Sequence, residues 1–149
     1  MIHLQISENV SPAFQQSVVN QAASETLATI PDIGEVDLTI LLTDDDQTHQ
    51  LNLEYLAVDA PTDVLAFPAD YIDPDTKARY LGDVIVSYER AIFQAQRGGH
   101  PLEQEIELLV VHGILHLVGH DHSDPDQKAK MWAAQSEILT RLGNPISPL

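Results

Sequence analysis

The segment PLEQEIELLVVHGILHLVGHDH, residues 101–122, decides how this chain folds. Residues 101–119 are largely apolar and show no turn signal before the glycine at 119, which predicts a long helix buried at the centre of the protein. The same segment carries four of the chain's seven histidines, at positions 112, 116, 120 and 122. It therefore predicts both the core of the fold and its chemistry.

The length and composition are those of one globular domain, residues 1–149, large enough to bury a core without disulfides. Because the chain has no cysteine, any metal ion must be held by histidine and carboxylate. The opening residues MIHLQISENVSPAF show neither a positively charged start nor a long apolar run, and no later segment has the length of a bilayer span. We therefore expect a cytoplasmic protein without a membrane partner.

The charge is strongly negative and unevenly distributed. The formal net charge is −16, all 7 basic residues fall in 77–149, and 14 of the 23 acidic residues fall in 1–76. Such a field repels polyanions at long range, so we expect no DNA partner, and any contact with RNA must be local and confined to the second half. The simpler explanation is that the charge keeps the protein soluble.

The periodicity along the chain predicts the order β-α-β-α-β-β-α-α-α. This order indicates an α+β fold in which a small mixed sheet of about four strands packs with about five helices, the histidine-bearing helix being central. We expect the first helix to begin at Ser11-Pro12 and to stop before Pro31, and the tail 144–149 to be frayed. The predicted strands are residues 2–6, 35–43, 62–68 and 81–88, and the remaining predicted helices are 47–56, 87–99, 101–119 and 123–143.

The histidines have the spacing of a metal site. On a helix, His112 and His116 lie on one face, about 6 Å apart along the axis. Gly119 can adopt a positive φ and fold the chain back, so that His122 arrives as a third ligand while His120 points away. Three imidazoles leave one tetrahedral position open, as in a catalytic zinc site. Single histidines more often pack in a core or lie on a surface, but three at this spacing favour one Zn²⁺ ion.

The spacing H-x3-H-x2-G-x2-H also occurs in metzincin proteases, which have a glutamate base directly after the first histidine. Gly113 stands at that position, so the metal geometry is retained while the peptidase interpretation loses its proton acceptor. A metallohydrolase of another substrate, such as a peptide, is therefore the least favoured interpretation.

Three blocks of the sequence resemble the YbeY family, bacterial single-strand-specific metallo-endoribonucleases of rRNA maturation. The blocks are HGILHLVGHDH at 112–122, PTDVLAFP at 61–68 and LGDVIVS at 81–87. The resemblance implies that His112, His116 and His122 bind zinc and that the substrate is single-stranded RNA. It also implies a role in rRNA maturation and ribosome quality control, with the ribosome or a small-subunit ribosomal protein as partner.

Two positions depart from the family pattern. Leu56 stands where the family usually has arginine, and Ala66 where it usually has serine. An arginine beside a metal ion would hold the scissile phosphate and stabilise the charge that develops on it, and leucine can do neither. The alternative function is therefore a non-catalytic, zinc-bearing ribosome assembly factor.

The catalytic group beside the metal ion is not identified by the pattern. Asp63 and Asp83 lie in short apolar strands, where each is either a site carboxylate or a structural acid that caps a neighbouring backbone group. Asp121 either orients an imidazole or shapes the turn, and these two roles are about equally expected. Asp63 and Asp121 are the candidates for a catalytic role.

The basic residues of the second half offer an RNA track. Arg90 and Arg97 are seven positions apart and share a helix face, and Lys77 and Arg79 precede the fourth strand. A solvated surface is the commoner role for such residues. Two large residues of the last helix are expected in the core rather than as a base-stacking platform: Met131 and Trp132.

Overall fold

The computed structural model describes residues 1–146, and in them it has the predicted α+β order of elements. The strands are β1 (Ile2–Ile6), β2 (Val36–Thr43), β3 (Val64–Ile72) and β4 (Arg79–Ser87). The helices are α1 (Ser17–Ala28), α2 (Asp45–Leu56), α3 (Tyr88–Gly98), α4 (Leu102–Leu117) and α5 (Pro125–Arg141).

The four strands form one mixed sheet in the order β1-β2-β4-β3. β1, β2 and β4 run parallel to one another, and β3 pairs antiparallel with β4. Along β2, side chains alternate between the two faces of the sheet, which places Leu38, Ile40 and Leu42 fully inside the core. The sheet is small and mixed, as the sequence predicts.

Helix α4 is central, as predicted. It packs on β3 and β4 and also contacts α1, α3 and α5. A helix with neighbours on so many sides must be apolar around most of its circumference, which explains the run of buried residues from Leu109 to Val111 and from Gly113 to Leu115. Within residues 1–146, no helix has the combination of length and apolar character needed to cross a membrane.

The contact between α4 and the sheet depends on a glycine. A Cβ atom built at Gly113 would lie 2.5 Å from Val84 Cγ1 and 3.3 Å from Val64 Cγ2. The first distance is far below van der Waals contact, so any larger residue would push the helix away from β4. Gly113 thus allows α4 to approach the sheet closely, because the side chain that it lacks would point at the strands.

We expect Gly113→Ala to lower the free energy of unfolding by about 1–3 kcal/mol, although alanine is the better helix former by about 1 kcal/mol. The loss of stability arises from overpacking against Val84. A double-mutant cycle with Val84→Ala, measured by urea denaturation, tests this cause. The double variant should lose less unfolding free energy than the sum of the losses in the two single variants. A Gly113→Ala protein as stable as the parent would contradict the close approach.

The start of α1 differs from the prediction. The helix begins at Ser17, not at Ser11-Pro12. The backbone N–H of Ala13 donates to the Tyr88 hydroxyl at 2.7 Å, and the ring of Phe14 lies 6.1 Å from the ring of Tyr88. These tertiary contacts with α3 hold residues 11–16 outside the helix, overriding the local proline signal.

The prediction of a frayed tail is wrong for its first residue. Asn144 is buried, and its side-chain amide donates to the carbonyl oxygen of Gln104 at 2.8 Å. This bond ties the end of the chain to the first turn of α4. Residues 147–149 of the predicted tail lie outside the described residues.

Asp83 has a structural partner. The Tyr80 hydroxyl donates to Asp83 Oδ1 and lies 2.6 Å from Thr39 Oγ1, so one phenol links β4 to β2. Burial, and then the hydrogen bond to the Asp83 carboxylate, raise the pKa of Tyr80 to about 12. Asp83 is therefore held within the sheet by this hydrogen bond.

The raised pKa of Tyr80 gives a pH-dependent prediction. Because this pKa is higher in the folded chain than the ordinary value of 10, the corresponding stability is present below pH 10 and is lost as the pH rises through about 12. Ultraviolet titration of tyrosinate should show one phenol that ionises near pH 12, a step that is absent in Tyr80→Phe. Persistence of that step in the variant would assign it to another residue.

Candidate metal centre

Three imidazoles meet at the end of α4. His112 and His116 come from the helix and His122 from the segment that follows it, and one ring nitrogen of each lies within 4.8 Å of the others. The Nε2 atoms of His112 and His116 are 3.2 Å apart. The ring of His122 lies 5.2 Å from that of His116 and 5.7 Å from that of His112, measured between centroids. The structure thus brings the three predicted residues together.

The chain reversal that delivers His122 is the predicted one. Gly119 has a φ of 102°, the left-handed region that favours glycine. The N–H of His120 donates back to the carbonyl of Leu115 at 2.9 Å, which closes the end of the helix. His120 does not belong to the cluster of three imidazoles.

Asp121 shapes the turn. Its Oδ1 accepts the backbone N–H of His122 at 2.7 Å, and this bond, followed by one from Ser123, lowers the pKa of the exposed carboxyl group. The carboxylate also lies near enough to His116 and His122 to interact with them electrostatically. The sequence left two roles open for Asp121, orienting an imidazole and shaping the turn. The hydrogen bond from the backbone N–H of His122 corresponds to the second role.

The donor set fits a single metal ion. Gln135 Oε1 lies 3.0 Å from His112 Nδ1 and accepts its proton, which leaves the lone pair of Nε2 directed at His116. A tetrahedral ion with zinc–nitrogen bonds of 2.0–2.1 Å would separate its ligand nitrogens by about 3.3 Å. The observed 3.2 Å between the two Nε2 atoms matches that spacing.

Burial also favours the neutral, metal-binding form of the helix histidines. It lowers the pKa of His112, an effect that Gln135 and the negative charge of Asp63 oppose. Burial likewise lowers the pKa of His116, and the neighbouring His112 and His122 lower it further. Both imidazoles are therefore uncharged at neutral pH and have a lone pair to offer.

A cavity of about 1000 Å³ lies beside His112, bounded by α3, α4, α5 and the start of β3. His112 and Gln135 lie on its wall, and so does Asp63. Asp63 Oδ1 accepts the N–H of Val64 at 2.8 Å, and Oδ2 accepts from Gln94 Nε2 at 3.3 Å. These bonds hold the Asp63 carboxylate at the cavity wall, near enough to His112 to act on it electrostatically, whereas Asp83 does not line the cavity.

A second polar pair lines the same cavity. His100 Nε2 is 3.1 Å from Glu105 Oε2, and the Glu105 side chain is almost fully buried. Burial raises the pKa of Glu105, while the hydrogen bond and charge of His100 oppose that shift. This hydrogen bond links the segment between α3 and α4 to the first turn of α4 and satisfies the buried carboxylate.

The basic residues separate into two groups. Arg90 and Arg97 line the cavity. Arg79 instead forms an ion pair with Asp70 at 2.6 Å, and Lys77 occupies the turn before β4 with a φ of 64°. Of these four residues, only the α3 pair lines the cavity that His112 borders.

Two expectations about large side chains have different outcomes. Met131 is fully buried, as predicted. Trp132 is half-buried and packs its ring 6.0 Å from His112 and 5.8 Å from His122, so it forms a wall of the site rather than part of the inner core. Leu56, at the end of α2, is 55% exposed.

Sequence reasoning missed the polar residues that support the site. Gln135 falls four residues after buried Met131 and three before buried Ile138, so it occupies an apolar position of α5. A glutamine at such a position needs a buried partner, which was the available signal. Gln94 is only half-buried on α3 and gives no comparable signal.

Comparisons with known proteins agree with the geometry. The sequence profile of the family described as Endoribonuclease YbeY matches residues 2–143. A protein of Roseiflexus castenholzii named Endoribonuclease YbeY is 40% identical, over 96% of this chain and 93% of its own length. One of the same name from Chloroflexus aurantiacus is 41% identical, over 97% of this chain and 96% of its own.

The fold is also similar to a solved structure. The solution structure of TM1509 from Thermotoga maritima superposes with a TM-score of 0.58 at 25% sequence identity. The match covers 97% of this chain and 94% of that protein. The arrangement of strands and helices is thus shared across nearly the whole length.

The site predicts a specific pattern of metal retention. We expect the purified parent to hold one zinc ion, and His112→Ala, His116→Ala and His122→Ala each to lose it, because two imidazoles bind far more weakly than three. His120→Ala is the matched control and should retain the ion. Mass spectrometry measures the metal content of each variant. Loss of metal from His120→Ala together with its retention in His122→Ala would contradict the turn geometry.

Proposed function

Because the chain belongs to the YbeY endoribonuclease family, we propose that it is a zinc-dependent, single-strand-specific endoribonuclease acting in rRNA maturation and ribosome quality control. The observation that supports this most directly is the meeting of His112, His116 and His122, the first of which also lines a cavity large enough for a nucleotide. We propose one Zn²⁺ ion as the cofactor, since three imidazoles are a donor set that zinc accepts.

The three histidines would hold the ion, and the rest of the site supports them. A zinc ion bound there supplies a Lewis acid that polarises a phosphoryl oxygen and lowers the pKa of water. Gln135 fixes the ring of His112 in the tautomer that leaves Nε2 free. Trp132 covers one side of His112 and His122 and limits the access of water from that direction.

Asp63 is our first candidate for the group that moves a proton. Its carboxylate lines the cavity, is oriented by Val64 and Gln94, and acts electrostatically on His112. A base held in this way can accept a proton from a substrate hydroxyl or from water. Asp121 is the second candidate, weaker because it is an exposed turn residue that does not line the cavity.

The proposed substrate and partners follow from the family and from the charge. Single-stranded RNA, in particular rRNA, is the proposed substrate, and the ribosome or a small-subunit ribosomal protein is the proposed partner. The net charge of −16 argues against general affinity for DNA, and delivery by a ribosomal partner would offset the repulsion of RNA. The proposed location is the cytoplasm, where the ribosome is assembled.

One observation supports a second function. The side chain at position 56 is an exposed leucine, which can neither bind a phosphate nor stabilise charge on it. A protein that kept the zinc site but lost this charge would act as a non-catalytic, zinc-bearing ribosome assembly factor.

Cleavage of a labelled unstructured RNA by zinc-loaded protein distinguishes the two functions. We expect the parent to cut single-stranded RNA, His116→Ala to lose the activity, and Leu56→Arg to cut faster by about 10-fold or more, because a charged hydrogen bond to phosphate is regained. Duplex RNA and casein serve as negative substrates. No cleavage by the parent or by the arginine variant would favour the assembly factor.

The role of Asp63 predicts a loss of rate without a loss of metal. Asp63→Asn keeps an oxygen that can accept the Val64 N–H but removes the base, so the single-turnover rate should fall by about 10²–10⁴-fold. Asp121→Asn should reduce the rate much less. Zinc content measured on the same samples separates catalysis from metal binding, and a parent-like rate in Asp63→Asn would remove this residue from the mechanism.

A further inference from the structure

The wall of the cavity formed by α3 has a distinctive composition. Arg90, Phe93, Gln94 and Arg97 all line the cavity that also contains His112, and their spacing of three or four residues places them on one helix face. Arg90 and Arg97 lie about 10 Å apart along the helix axis, with Phe93 between them. Two of the chain's seven basic residues are therefore on this one wall, in a protein of net charge −16.

The two arginines differ in how free their charge is. Arg90 Nη2 lies 2.9 Å from Asp45 Oδ2, and Arg90 Nε lies 3.3 Å from Asp45 Oδ1, so this guanidinium is already paired. Arg97 is exposed and forms no ion pair with any residue in the described range 1–146. Its charge is available to an anion that enters the cavity.

The acids of the cavity do not cancel this charge. Asp63 is hydrogen-bonded to Val64 and Gln94, and Glu105 is paired with His100. Each carboxylate thus has a partner of its own, and no hydrogen bond or ion pair joins either of them to Arg97 in the described part of the chain. Of the two arginines on this wall, Arg97 is therefore the one whose charge is unpaired for an incoming phosphate.

Phe93 supplies the second half of the recognition. Its side chain lies on the cavity wall and is 53% exposed. The phenyl ring packs against no other aromatic ring within residues 1–146. Proteins that bind single strands combine a cation that follows the backbone with an aromatic ring on which a base stacks. Both elements occur here, one helical turn apart.

We propose that the α3 wall binds a single strand of RNA beside the metal centre, with Phe93 stacked on a base and Arg97 in contact with a backbone phosphate. This inference rests on the proposed function. A duplex is excluded from such a site because its bases are already stacked and paired. An acidic peptide would meet Arg97 but would gain nothing from the exposed ring.

The test measures binding of a fluorescent 2′-O-methyl oligonucleotide to zinc-loaded protein. Fluorescence anisotropy reports the binding, and the titration is repeated over a range of salt concentrations. The blocked 2′-oxygen cannot attack phosphorus, and electrophoresis after each titration verifies that the probe is intact. The variants are Phe93→Ala and Arg97→Gln. Phe93→Tyr, which keeps the ring, and Arg141→Gln, which lies on α5 away from the cavity, are the matched controls.

The two variants should fail in different ways. Phe93→Ala should weaken binding by about 5- to 150-fold without changing the salt dependence, because stacking is not electrostatic. Arg97→Gln should reduce the slope of log affinity against log salt by about 0.7, the contribution of one phosphate contact on a single strand. Phe93→Tyr and Arg141→Gln should bind as the parent does.

Three results would overturn the proposal. These are parent-like affinity in Phe93→Ala, an unchanged salt slope in Arg97→Gln, or displacement of the probe by poly-glutamate as effectively as by unlabelled single strand. Circular dichroism of the variants verifies that these exposed substitutions leave the fold intact.

Kinetics on cleavable RNA separate this proposal from the proposed function. A parent that binds the probe as described but cuts no RNA would refute the nuclease function and leave the strand site standing. A parent that cuts RNA with a KM unaffected by either variant would refute the strand site and leave the nuclease function standing.

Discussion

The close approach of α4 to the sheet at Gly113 is the constraint on which the rest of the structure depends. The helix reaches β4 because residue 113 has no side chain, and Val84 and Val64 fill the space a Cβ would need. That approach fixes the rotation of α4 about its axis. With residue 113 turned toward the strands, His112 is turned toward α5, where Gln135 accepts its Nδ1 proton. A packing contact in the core thereby determines the direction of a ligand nitrogen.

The sequence predicted what local chemistry controls. The helix around His112 and His116 and the reversal at Gly119 follow from spacing and from the conformational freedom of glycine, both properties of a short segment. The predicted start of α1 was wrong because the Tyr88 hydroxyl, on α3, binds the backbone of Ala13 and holds this segment outside the helix. No local pattern contains that contact.

The residues that orient the site residues could not be predicted either, because their contacts are also tertiary. Gln135 is 23 residues from His112, and Gln94 is 31 residues from Asp63. Each pair meets only because α3 and α5 both pack on α4. The cavity between these helices is likewise a product of tertiary packing, so the sequence showed that Arg90 and Arg97 share a helix face but not that this face lines a cavity with His112.

The three imidazoles come from only eleven consecutive residues, 112–122, and this has a consequence for folding. Closing so short a loop costs little chain entropy, so the cluster can assemble as soon as the end of α4 and its turn have formed. The cavity beside it instead requires contacts between separate elements, the start of β3 and the helices α3, α4 and α5. The histidine cluster therefore depends on the local structure of one short segment, whereas the cavity depends on the packing of the whole domain.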